Sequence, residues 1–136
     1  MNPSTAAKFA VLGSVAVLCT ALGCTLPNGR PQVVSGSVEC ASGAAAVGVW
    51  VDALSGGSGW GTTQRIAGHP ERLLYRRDLP LGGRFIVHVG CGGTPAVWGS
   101  SNSSAPVGGP YADFRCHDHA AGAAPHPVCE TVTPDN

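Results

Sequence analysis

At 136 residues, with equal numbers of basic and acidic side chains, the chain has room for one modest domain and carries no charge excess. From Thr25 onward seven arginines and no lysine stand against eight acidic residues. That balance provides no footprint for nucleic acid or an anionic lipid surface. Arginine without lysine, beside abundant glycine, alanine and proline, belongs to a GC-rich coding sequence of the actinobacterial kind.

Phe9 to Leu26 is an uncharged, mostly apolar run of 18 residues with Lys8 before it. A run of that kind at an N-terminus is an export helix, either cleaved or kept as a short anchor. It ends in Ala21-Leu22-Gly23-Cys24, which resembles a bacterial lipobox and makes Cys24 the candidate lipidated residue. Residues 1–24 therefore read as signal peptide or membrane anchor, and 25–32, with two prolines, as a tether. Lipid on Cys24, an uncleaved helix and free secretion all place the remainder outside the cytoplasm.

From residue 33 to 130 the dominant signal is alternation broken by glycine-rich turns, which belongs to strands. In VVSGSVEC, Val34, Gly36, Val38 and Cys40 share one face. In VGVWVDA, Val47, Val49, Val51 and Ala53 alternate against Gly48, Trp50 and Asp52. A two-residue turn at Gly56-Gly57 would set Trp60 opposite Ala53 on the inner face and Trp50 opposite Thr63 on the outer one. Leu73 and Tyr75 point inward in ERLLYRRDLP, and Phe85, Val87, Val89 and Cys91 do so in RFIVHVGC, leaving His88 out of phase. YADFRC repeats the pattern, with Ala112, Phe114 and Cys116 against Tyr111, Asp113 and Arg115. Residues 131–136 read as a tail.

Short strands at this spacing predict an all-β fold. The expected architecture is an antiparallel sandwich of immunoglobulin-like size with about 6–7 strands. Cys40, Cys91, Cys116 and Cys129 form an even set in an exported chain and read as two disulfides. Of the pairings four cysteines allow, Cys40–Cys91 and Cys116–Cys129 are preferred. The first pair closes two inward-facing strands, and the second closes the local loop HDHAAGAAPHPV.

Val34-Ser35-Gly36-Ser37-Val38, Gly48-Val49-Trp50-Val51, and Leu79-Pro80-Leu81-Gly82 leading to Phe85 resemble the transthyretin-like or carboxypeptidase-regulatory sandwich domains over residues 33–90. Those domains run V-x-G-x-V, then G-V-x-V, then an L-P-x-G turn into an aromatic strand. The resemblance implies a sandwich with a non-catalytic binding or spacer role, and it brings no active site to carry over.

Few residues of the chain fall into a pattern that carries chemistry. Gly56 to Trp60 lacks the last glycine of a nucleophile elbow, and the same glycines lack the lysine and helix of a phosphate loop. Asn102-Ser103-Ser104 fits an N-glycosylation acceptor, which a bacterial origin would leave idle. His117, His119 and His126 lie between Cys116 and Cys129; converging imidazoles there would make a divalent-metal site. Trp50, His88 and Tyr111, all out of phase with the core, are candidates for a ligand face. The leading reading is a non-enzymatic binding or structural module at a bacterial cell surface, with no cofactor. Its partner would be a surface protein or a glycan, and it would meet the membrane through its N-terminal segment. The alternative is a secreted protease inhibitor acting through an exposed loop, or a metal binder acting through the histidine-rich loop.

Overall fold

The computed structural model describes residues 29–118 and 128–133. The segment expected to serve as an export helix, with Cys24, and also His119 and His126, lie outside the described residues. Within them the chain is all-β, with no helix. Its strands are β1 (Gln32–Cys40), β2 (Ala46–Ala53), β3 (Gly59–Trp60), β4 (Thr62–Ile66), β5 (His69–Leu79), β6 (Phe85–Gly93), β7 (Trp98–Ser104), β8 (Asp113–Cys116) and β9 (Val128–Val132). The sheet thus takes in Gln32 from the expected tether, and Thr131 and Val132 from the expected tail.

All nine strands hydrogen-bond into one sheet, in the order β3-β2-β6-β7-β9-β8-β1-β5-β4. Its two ends, β3 and β4, are neighbours in the chain, joined by Gly61. The Gly61 amide donates to the Val49 carbonyl at 2.9 Å, so the sheet bends round and nearly closes on itself. Closure of this kind removes most of the unpaired edge that an open sheet would expose. Most ladders are antiparallel, but β1–β8 and β7–β9 run parallel.

The interior follows the alternation. Val34, Val38 and Cys40 from β1, Val49 and Val51 from β2, Leu73, Tyr75 and Leu79 from β5, Phe85, Val87 and Val89 from β6, and Phe114 from β8 are all buried in one core. Branched and aromatic side chains at every second position suit a half-buried pleated surface, so the periodicity of the sequence becomes the inside of the barrel. Tyr75 is the polar exception, and its hydroxyl donates to the Ala112 carbonyl at 2.8 Å.

Four strands lack that signature: the short β3, the exposed β4, and β7 and β9. The inward positions of β7 are Ser100, Asn102 and Ser104, and Asn102 is fully buried. Asn102 Nδ2 donates to the Val89 carbonyl, and Ser104 Oγ accepts from the Val87 amide, both at 3.1 Å. These bonds offset part of the burial of polar groups, and Asn102 Oδ1 is left buried without a partner among the described residues. β9 supplies only Cys129 to the core.

Both disulfides are formed, in the preferred pairing, Cys40–Cys91 and Cys116–Cys129. Cys40 and Cys116 are also partners in the β1–β8 ladder, so the two staples sit side by side at one end of the barrel. The first ties β1 to β6 across the interior, and the second links directly opposed residues of β8 and β9. Paired cysteines accord with an oxidising compartment.

Candidate ligand-binding face

All three tryptophans of the chain meet on the outer surface of β2, β3, β6 and β7. Trp50 projects outward because it alternates with the buried Val49 and Val51. Trp60 is its direct partner across the β2–β3 ladder. This corrects the expected register, in which Thr63 stood opposite Trp50 and Trp60 faced inward. The connecting loop runs from Leu54 to Ser58, longer than a two-residue turn. Ser58 Oγ accepts from the Ala53 amide and donates to Asp52 Oδ1, both at 2.8 Å. The pairing is therefore displaced by three positions, and an odd displacement turns a side chain to the opposite face. Trp60 ends up outside, 57% exposed.

Trp98 completes the group. Its ring lies over Gly48 and Gly90, where a Cβ on either residue would crowd the indole. These two glycines are partners in the β2–β6 ladder and form a shallow floor for the ring. Trp98 Nε1 is buried without a hydrogen-bond partner among the described residues, so packing over that floor is what positions the ring. Trp60 stands between the other two indoles. Its centroid is 5.3 Å from Trp50 at 88° and 5.6 Å from Trp98 at 81°. Edge-to-face pairs of this geometry add about 0.5–1.5 kcal/mol each beyond burial.

Arg77 fixes the strand that carries Trp60. It shares the inward phase of Tyr75 and Leu79, and its guanidinium donates to the carbonyls of Gly57 at 3.0 Å and of Ser58 and Trp60 at 3.3 Å. Any side chain at Gly59 would collide with that guanidinium. His88 borders the cluster as the ladder partner of both Trp50 and Ser103, and His88 Nδ1 is hydrogen-bonded to Ser103 Oγ at 2.7 Å.

The structure thus brings Trp50 and His88 together and adds Trp60 and Trp98, which the sequence reading did not nominate. Tyr111 lies elsewhere. It bridges to Ser35 of β1, and β7, β9 and β8 separate β1 from β6 in the sheet. Tyr111 is 62% exposed and donates to Asp113 Oδ2 at 2.9 Å. Asp113 Oδ1 in turn accepts from the amide and hydroxyl of Ser37, at 2.6 and 2.9 Å. The hydrogen bond to Asp113 holds the Tyr111 phenol above its ordinary pKa.

Of the proposed metal ligands, only His117 lies within the described residues. Its Nε2 lies 3.2 Å from Glu130 Oε2 on the facing strand. Cys116 and Cys129 are joined to each other and are not thiolates. Asp118 comes near Cys40 and Cys91, but those sulfurs are also bonded to each other and offer no ligand. Asp118 instead accepts from the amide and hydroxyl of Ser42.

Comparison with protein-family models, curated proteins and solved structures finds no match for the chain.

Proposed function

We propose that this protein is a non-enzymatic binding module on the outside of a bacterial cell, tethered there by its N-terminal segment. The tether is lipid on Cys24 or an uncleaved helix through Phe9–Leu26, and the ligand face is formed by Trp50, Trp60 and Trp98 with His88. One observation carries this reading: all three indoles gather on one outer face, and the central one, Trp60, is largely exposed on a strand that Arg77 holds in place. Large aromatic surface left in water on a rigid scaffold marks an interaction site. The resemblance to transthyretin-like sandwiches supports a binding or spacer role. Its motif pieces fall on β1, on β2 and on the turn between β5 and β6.

Co-sedimentation of the full chain with envelope fragments of the producing cells tests the proposal. The expected outcome is saturable binding that Trp60→Ala reduces about tenfold or more and that Tyr111→Phe leaves unchanged. Equal binding by the wild type and Trp60→Ala would remove the tryptophan face from the account.

A further inference from the structure

We infer that the ligand of this face is an uncharged saccharide, stacked on Trp60 and held by hydroxyl contacts on either side of it; the inference rests on the binding-module reading above. Trp60 forms a ridge between two clefts. One, of about 200 Å³, is lined by Val47, Gly48, Val49, Gly61, Thr63 and Pro95. The other, of about 150 Å³, is lined by Thr62, Arg76, Arg77 and Asp78. The indole belongs to both, so a ligand lying across it reaches polar groups on each side.

The charges around the ridge are already balanced. Arg76 and Asp78 pair at 3.9 Å, the Arg77 guanidinium is bound to three backbone carbonyls, and Asp52 accepts from Ser58. Two guanidiniums stand against two carboxylates here, which leaves no net charge to draw an ionic ligand, so the lining fits a neutral one. A wholly apolar ligand would strip water from Thr62, Thr63, Arg76 and Asp78 and return no hydrogen bond. A sugar ring meets both demands. Its C–H face covers the indole, and its hydroxyls both donate and accept. Thr62 Oγ1 can do the same, the Arg76 guanidinium only donates, and the Asp78 carboxylate only accepts. A peptide adding a strand is less well served, because β3 already occupies the edge of β2 at Trp50 and Val51, and Gly61 takes the Val49 carbonyl.

The test is titration of the full chain with neutral hexasaccharides of β-1,4-glucose, β-1,4-N-acetylglucosamine, α-1,6-mannose and α-1,5-arabinose, read by tryptophan emission and calorimetry. At least one is expected to give a saturable shift. Trp60→Ala should weaken it about tenfold or more, Trp60→Phe less, and Thr62→Ala and Asp78→Asn each severalfold. A near-ultraviolet circular dichroism spectrum for each variant separates lost contacts from lost fold. No response from any of the four sugars, or a response indifferent to Trp60 and Thr62, overturns the saccharide inference. If the sugars fail while envelope binding still depends on Trp60 and is abolished by proteinase treatment of the envelope, the ligand is a protein and the module reading stands. Failure of envelope binding itself removes that reading as well.

Discussion

Tyr75 and Tyr111, the only tyrosines in the chain, differ in burial yet shift the same way. Burial is the main cause at Tyr75, with the nearby Asp113 carboxylate adding to it, and the hydrogen bond to Asp113 is the main cause at Tyr111; both phenols are raised above their usual value. A raised native pKa means the folded state holds its proton longer than the unfolded one. The stability so contributed is complete below about pH 10 and is lost as pH rises through the native values. Phenolate absorbance should therefore appear at higher pH in native protein than in denaturant. Coincident titration curves would contradict both the burial of Tyr75 and the hydrogen bond from Tyr111 to Asp113. Parity explains what could be read at this scale: Trp50 and His88 are out of phase with their buried neighbours in any register, whereas the face of Trp60 depends on one loop.

That loop shows how an element can defeat a local reading. Gly56-Gly57 resembles a tight turn, but the register is set by Ser58, which ties the loop to Ala53 and Asp52, and by Arg77, twenty residues from Gly57, which grips its carbonyl. A distant arginine leaves no mark in a local pattern. Replacing it should loosen β3 more than the core. Arg77→Gln is expected to lose about 1–3 kcal/mol in urea unfolding and to raise acrylamide quenching of tryptophan emission. Unchanged quenching would mean that β3 is held by the indole contacts alone. β7 escaped detection for another reason. Its inward residues are polar and hydrogen-bond the backbone of β6, so WGSSNSS carries none of the apolar alternation by which a strand is recognised.

For the whole molecule, the all-β class was legible in the alternation, and two disulfides in an even set of cysteines, three of them in core phase; the pairing was a preference among three connectivities. The near-closure of one sheet was not legible. It depends on the parallel ladders β1–β8 and β7–β9, which join strands far apart in sequence, and on Gly61 joining the two ends. The staples lie side by side but close very different loops, with separations of 51 and 13 residues. Chain entropy assigns them about 4 and about 3 kcal/mol, large shares of a small domain's stability. Replacing Cys40 and Cys91 together by serine should therefore lower the unfolding midpoint more than the same change at Cys116 and Cys129. The reverse order would show that linking β8 to β9 matters more to the barrel than the span between β1 and β6.

The account turns on a single ligand face centred on Trp60. Indole N–H resonances of isotopically labelled protein, followed while solubilised envelope fragments are added, test it most directly. The account predicts that the Trp60 signal moves first and furthest, those of Trp50 and Trp98 follow, and the backbone amides around Tyr111 and Asp113 stay in place. Shifts confined to the Tyr111–Asp113 side of the barrel, with all three indoles unmoved, would contradict it.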